Sequence, residues 1–249
     1  MAEWLDPKYA RVFTIGSTTS VSRRLLKTLA VSPPLPNPMQ LNPLAIAGAE
    51  VRHAPALYPI DAADRSMRAL TREIAWTQHH LNLFGRAVAA PRLSCWMGDP
   101  DTAYTYSRTR FVPQAWTPAV AALRDDLRER LGVRFNSVLA NLYRDGQDSM
   151  GWHSDDEPEL GPRPLIASLS FGAGRTFRLR SRATREAALS IELTHGSLLL
   201  MGGDTQSLYQ HALPKRMRVT GARINLTFRT IGLPAARVDR VGAASAAMP

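Results

Sequence analysis

The chain has a single cysteine, Cys95, among its 249 residues. No internal disulfide can form and no Cys-rich zinc or iron–sulfur framework can be built, so a metal would have to be held by histidines and carboxylates. A reducing compartment fits that usage. Lysine is almost absent as well, and arginine carries the cationic excess: 31 Lys+Arg stand against 21 Asp+Glu, a formal charge of +10. Such a charge favours polyanions, either nucleic acid or an anionic membrane surface, although an arginine-rich composition produces it without any such partner. No apolar run approaches the roughly 20 residues that cross a bilayer, and no internal repeat is visible. With 45% hydrophobic and 21% charged residues, the composition is globular and the length suits one large domain.

The first fifty or so residues show no steady period, and "VSPPLPNPMQLNPLAIAG" is too rich in proline for a core element. Residues 1–55 therefore read as an N-terminal appendage. Within it "SRRLLKTLAV" (Ser22 to Val31) is basic and faintly amphipathic; Glu3 and Asp6 precede it and no cleavable apolar region follows, so a short surface helix is expected rather than a targeting signal. Ala63, Met67, Leu70 and Ile74 then fall at helical spacing, with Asp61 as the expected cap. A second helix is predicted where Thr117 can cap, Pro118 suits the first turn, Val120, Leu123, Leu127 and Leu131 form one stripe, and Gly132 stops it. After Phe135 the period changes to two. "FNSVLANLYR", "PLIASLSFG", "RTFRLRSR", "AALSIEL", "GSLLLM", "SLYQHALP" and "RINLTFRTIG" are short runs separated by turn residues. The expected class is α+β, mainly β, a sandwich, barrel or jelly roll braced by the two helices.

Alternation in "RINLTFR" puts Ile224, Leu226 and Phe228 on one strand face and Arg223, Asn225, Thr227 and Arg229 on the other. One arginine there would suit a solvated face; two of them flanking an amide and a hydroxyl could line an inward pocket and bind a dicarboxylate. In "NLYRDG" Asn141 and Tyr143 share a face and could supply further donors. "GWHSDDEPELG" sets His153 two residues before Asp155, inside an acidic cluster with Asp156 and Glu157. Two imidazoles and one carboxylate on one face of a metal are the donor set of non-haem Fe(II) oxygenases. The second histidine could be His195 or His211. His195 precedes "GSLLLM" and reads as a hydrogen-bonded strand-end residue, which leaves His211, close before the arginine strand, as the better candidate. By spacing alone the motif is a weak one. A hydrolytic Zn(II) site could use the same residues, but would leave the paired arginines without a purpose.

An ordered series of stretches, "PRLSCWMG", "YTYS", "NLYRDGQDSMGWHSDDEPELG", "PLIASLSFGAGRTFRLR", "HGSLLLMGG" and "RINLTFR", resembles the AlkB family of Fe(II)- and 2-oxoglutarate-dependent nucleic-acid dealkylases, especially its eukaryotic DNA-repair-type members. The resemblance runs from about Ala56 to Leu233. It implies a double-stranded β-helix (jelly roll) core with a nucleotide-recognition lid, a catalytic domain over residues 56–235 and a tail over 236–249. It implies Fe(II) on His153, Asp155 and His211. It places 2-oxoglutarate on Asn141, Tyr143, Arg223, Asn225 and Arg229, with O2 as co-substrate. Trp96, Tyr104, Tyr106, Leu139 and Glu157 fall near the substrate nucleotide. The implied activity is oxidative demethylation of bases such as 1-methyladenine and 3-methylcytosine in DNA, single-stranded or with the base flipped out, with RNA as a second polymer the family admits. A monomer is the default expectation, in the cytoplasm, or the nucleus of a eukaryote, with no membrane partner. Phosphate contacts are expected from Arg178, Arg180 and Arg182, which alternate along "FRLRSR", with Arg175 and Arg185 beside them. An oxygenase acting on a protein or lipid, and a basic module without catalysis, are the rival readings.

Overall fold

The computed structural model describes residues 39–83, 86–102, 104–106 and 109–232, with backbone only for 81–83, 86–87, 104–106 and 109–111. Chain order begins β1 (Asn42–Leu44), β2 (Ala49–Ala54), α1 (Ile60–Glu73), β3 (His80–Leu83), β4 (Arg86–Ala89), β5 (Leu93–Gly98), β6 (Tyr104–Tyr106) and β7 (Thr109–Phe111). It continues with α2 (Pro118–Leu131), β8 (Ser137–Tyr143), β9 (Met150–His153), β10 (Ile166–Gly172), β11 (Arg175–Ser181) and β12 (Ala187–Leu193). The last elements are β13 (Ser197–Gly203), the one-turn α3 (Thr205–Leu208), β14 (Tyr209–Leu213) and β15 (Arg223–Arg229). A seven-stranded sheet in the order β1-β2-β13-β10-β15-β8-β5 and a four-stranded sheet in the order β12-β11-β14-β9 make up the two-sheet jelly roll, and every pairing in them is antiparallel. Two small sheets, β3–β4 and β6–β7, stand apart from both.

Strand alternation sorts the large sheet into two faces. Val138, Ala140, Ala167, Leu169, Phe171, Leu198, Ile224, Leu226 and Phe228 belong to one core with Ala63 and Leu70 of α1 and Val120, Leu123 and Leu127 of α2. The helices thus brace the back of the sheet, and each fully buried aliphatic side chain there contributes about 1.5–3 kcal/mol. The opposite face meets the four-stranded sheet in a second core of Val51, Ile166, Leu179, Ile191, Leu193, Leu199, Met201 and Tyr209. One end of that inter-sheet space is filled by these side chains. The other end is lined with polar groups and holds the candidate site.

α2 forms as its sequence predicts: Thr117 Oγ1 accepts from the Val120 N–H at 3.4 Å, and Gly132 closes the helix at φ +67°. α1 differs at its start. Pro59 occupies the cap position with no side-chain bond, and Asp61 lies inside the first turn, where its charge favours the helix dipole instead. His195 is the strand-end residue its context suggests, since the Gly172 N–H donates to Nδ1 at 2.8 Å while Nε2 lies 3.2 Å from Asp64 of α1. Gly172 needs its hydrogen: at φ +89°, a Cβ would stand 2.3 Å from the Ala222 carbonyl.

The expected boundary after residue 55 is corrected. β2 is paired along its length with β13 and carries β1 on its other edge, so residues 42–54 belong to the large sheet. Proline-rich composition misleads there because β1 is a three-residue edge strand, where Pro43 is tolerated. The Ser22 to Val31 helix and the tail over 236–249 lie outside the described residues. No described helix is long and apolar enough to cross a membrane.

Candidate metal centre and anion pocket

His153 ends β9, His211 is the middle residue of β14, and antiparallel pairing sets the two opposite each other. Their ring centroids are 4.2 Å apart. Past His153 the chain leaves the strand and turns Asp155 back beside it, so the ligand atoms of His153, Asp155 and His211 all lie within 4.8 Å of one another. No other such cluster occurs among the described residues. His153 Nδ1 is 2.8 Å from the Gly151 carbonyl. A carbonyl only accepts, so Nδ1 donates, and the other ring nitrogen, Nε2, lies 3.7 Å from Asp155 Oδ1 on the side of the cluster.

Several bonds hold the Asp155 loop. The Asp155 N–H donates to Gln206 Oε1 at 3.0 Å, and the Ser154 hydroxyl donates to the Tyr209 carbonyl at 2.8 Å. Arg229 Nη2 lies 2.7 Å from Asp155 Oδ1. Burial alone would push the Asp155 carboxyl up, but Arg229, aided by His211 and His153, reverses this and holds it below the usual carboxylate range. Burial pushes the His211 imidazole down to about 3 against the pull of Asp155, and Phe177 stacks on its ring at 5.2 Å. At neutral pH the centre therefore offers neutral imidazole and ionised carboxylate, the protonation states that bind metal.

Beside these three residues opens a cavity of about 530 Å³. Arg223, Asn225, Thr227 and Arg229 of β15 face it, as do Asn141 and Tyr143 of the neighbouring β8. Arg223 is buried; among the described residues its side chain makes a single hydrogen bond, Nη2 to Ser170 Oγ at 2.9 Å, and its Nε has no partner. Burial pushes its pKa down to about 10, with Tyr143 opposing. A guanidinium does not give up its proton in a protein, so this is a buried cation in need of an anion. Arg229 also keeps a buried, unpartnered Nε. Asn225 donates to Ser168 and Leu169 and accepts from Thr227, which fixes it as a support between the arginines. Arg92, which the sequence reading did not single out, lines the cavity and donates from Nε to Asn141 Oδ1 at 2.9 Å. Its only signal was parity: it leads into β5 in step with Ser94 and Trp96.

Trp96, Leu139 and Glu157 come together in an adjoining cavity of about 210 Å³, which shares Leu139, Glu157 and Arg229 with the larger one. Trp96 is half-buried and donates from Nε1 to Ser137 Oγ at 2.8 Å. Tyr104 and Tyr106 contribute the backbone of β6; their side chains lie outside the described residues.

The arginine stripe needs correction. Arg175 shares parity with Phe177 and Leu179 and points inward; it is 1% exposed and donates to the carbonyls of Asp145, Asp148 and Pro214, so it cannot meet a phosphate. Arg182 is tied to Asp156 at 2.6 Å and to the Gln206 carbonyl, which makes it a strap on the Asp155 loop. Arg178 and Arg180 do lie on the outer face of the four-stranded sheet.

A family model described as the 2OG-Fe(II) oxygenase superfamily matches residues 50–229, more than half of the chain. The chain belongs to that superfamily. It is 41% identical over 186 residues to the human protein named alpha-ketoglutarate-dependent dioxygenase alkB homolog 3, a match covering 71% of this chain and 64% of that protein. It is 40% identical over 179 residues to the mouse protein named DNA oxidative demethylase ALKBH2, covering 68% of this chain and 75% of that one. The donor set fits the family's iron, with two imidazoles and one carboxylate brought together by β9, the loop after it and β14. The unpaired Arg223 fits a dicarboxylate such as 2-oxoglutarate.

Proposed function

We propose that this chain is an Fe(II)- and 2-oxoglutarate-dependent dioxygenase that removes N-alkyl groups from nucleic-acid bases, with alkylated DNA as its main substrate. The observation that carries the reading is a His–Asp–His cluster beside a buried arginine, Arg223, that has no carboxylate partner among the described residues. When bound, iron and 2-oxoglutarate supply the oxidising power: O2 is consumed, 2-oxoglutarate becomes succinate and CO2, and the N-methyl group becomes a hydroxymethyl that leaves as formaldehyde.

The protein's part is binding, orientation and dryness. His153, Asp155 and His211 would hold the metal, and the Nδ1–H bond to Gly151 would keep the His153 ring turned toward it. Arg223 and Tyr143, with the amide of Asn141, would take the distal carboxylate of 2-oxoglutarate. Arg229 would serve the end nearest the metal while bracing Asp155, and Asn225 would keep the two arginines in register. No side chain has to act as a nucleophile.

Trp96, Leu139 and Glu157 would receive the base. A 1-methyladenine or 3-methylcytosine ring carries a positive charge, which a carboxylate and an aromatic face both favour over the neutral base. Such lesions also spoil pairing, so the damaged nucleotide is the cheaper one to extract from a duplex. We place Tyr104 and Tyr106, and the lid itself, in the small sheets β3–β4 and β6–β7. The protein would act as a monomer in the cytoplasm or nucleus, and RNA bearing the same lesions would share the route to the pocket.

The test is incubation with Fe(II), ascorbate, O2 and a single-stranded oligonucleotide bearing 3-methylcytosine, followed by oligonucleotide mass. Loss of one CH2 equivalent that requires 2-oxoglutarate and is abolished by His211→Ala is the expected result. Succinate formation with no change in the oligonucleotide would move the substrate elsewhere. Neither signal from folded, metal-loaded protein would refute the reading.

A further inference from the structure

The outer face of the four-stranded sheet carries a second polar site. Trp152 and His153 are consecutive in β9, the edge strand, so they point to opposite sides of it. His153 joins the metal cluster and Trp152 is 39% exposed on the outside. Arg180 of β11 lies over the Trp152 ring, its guanidinium carbon 4.2 Å from the centroid. Arg180 also donates from Nε and Nη2 to Gln210 Oε1, at 3.2 and 2.9 Å, and Arg185 donates from Nη1 to the same oxygen. Two guanidinium groups thus converge on one neutral amide oxygen. Together with exposed Arg178 they surround a groove of about 480 Å³ with no carboxylate among its lining residues.

Several other surface arginines pair with acids: Arg163 with Asp204, Arg182 with Asp156, Arg216 with Glu192 and Arg144 with Asp148. Like charges this close repel each other, and an anion between them would turn the repulsion into attraction. Forked donors beside an indole face match a phosphodiester next to a base, which is the pattern of single-strand recognition.

We infer that this groove binds a segment of single-stranded polynucleotide away from the nucleotide being repaired, with Arg178, Arg180 and Arg185 on phosphates and the Trp152–Arg180 pair as a stacking platform. The inference rests on the proposed nucleic-acid substrate and adds a second, sequence-independent contact to it. Metal and groove occupy the two sides of one edge strand, so a strand that delivers its base inside can pass around that edge to the outside. The groove should therefore raise affinity for long substrates without altering the chemistry.

The experiment measures binding of unmodified single-stranded DNA to the full chain, so that no turnover is needed, with oligonucleotides of about 3 and about 16 nucleotides. The Arg178→Ser/Arg185→Ser double variant, both positions being exposed, should bind the long oligonucleotide at least tenfold more weakly, with a salt slope shallower by roughly 1–2. Binding of the short one should not change. Trp152→Ala should weaken long-oligonucleotide binding roughly tenfold at an unchanged salt slope, with Mn(II) titration checking that the neighbouring metal site is intact. Equal losses on both lengths, or none on the long one, would overturn the inference. So would competition by inorganic phosphate or polyglutamate at the concentration of nucleotide phosphates. Length-dependent losses in a protein that fails the demethylation assay would keep the groove and remove the proposed chemistry.

Discussion

Two buried arginines on either side of one tyrosine, Tyr143, behave in opposite ways. Arg175 donates to three backbone carbonyls, two from the loop after β8 and one from the chain after β14, and so joins two loops. Arg223 is equally buried but has one hydroxyl partner and faces a cavity. Both lie near the Tyr143 ring, at 5.9 and 5.4 Å. Burial therefore does not distinguish a structural cation from a binding one. The terminal nitrogens do: each arginine keeps a buried, unpartnered Nε, but Nη1 and Nη2 of Arg175 are both taken by carbonyls of its own chain, whereas only Nη2 of Arg223 is engaged among the described residues, which leaves donors for a ligand.

The sharpest way to break this comparison is to remove each cation in turn. Arg175→Met leaves three carbonyls without donors and should cost about 3 kcal/mol or more, lowering Tm by roughly 6–12 °C. Arg223→Met removes a buried charge with little compensation, so its stability should stay within about 1 kcal/mol of the parent or exceed it. Its 2-oxoglutarate affinity should fall by about 2–5 kcal/mol, thirtyfold or more. Melting curves in Mn(II) with and without 2-oxoglutarate separate the cases: a lower baseline with the ligand-induced rise retained for Arg175→Met, and an intact baseline with no rise for Arg223→Met. A stability loss at Arg223 as large as that at Arg175 would sink the distinction.

A second prediction concerns the buried imidazole. Folding lowers the His211 pKa from 6.5 to about 3. Between those values the unfolded chain binds a proton that the folded chain refuses, so stability is full above pH 6.5 and falls as pH drops toward 3, by at most about 1.4 kcal/mol per unit. Asp155 has the same sign, since its depressed pKa gives stability that is present above the ordinary carboxylate value; its loss begins only below about pH 4. The interval from pH 6.5 to 4 thus isolates the histidines. His53 is also lowered by burial, so the readout is a difference: metal-free His211→Asn should show a shallower acid slope by close to one proton in urea unfolding. An unchanged slope would mean that His211 titrates normally.

Much of the fold and the metal centre was legible because strand parity is a strict code. Seven runs after Phe135 became strands, and the two faces of "RINLTFR" became core and pocket wall. α2 was readable from end to end because cap, proline, stripe and terminal glycine all agreed. β9 was missed since its four residues, "MGWH", carry no alternation; it is specified by pairing with β14. The same parity, applied to "RTFRLR", would have separated Arg175 from Arg178 and Arg180, because Arg175 falls in step with Phe177 and Leu179. That Arg182 is bound to Asp156, and that Arg180 and Arg185 share Gln210, depends on contacts between residues far apart in sequence, which no local pattern encodes.

The smallest expected effect provides the control for the arginine comparison. Thr117 caps α2, which packs against the back of the large sheet, away from both arginines and the cavity. Thr117→Ala loses one bond to the Val120 N–H and should cost about 1 kcal/mol, a Tm decrease of roughly 2–4 °C. Because the loss is confined to a helix end, the temperature rise produced by 2-oxoglutarate should be that of the parent. A diminished rise would show that modest destabilisation anywhere in the jelly roll weakens the pocket, and the contrast between Arg175 and Arg223 would then have to be measured at matched stability.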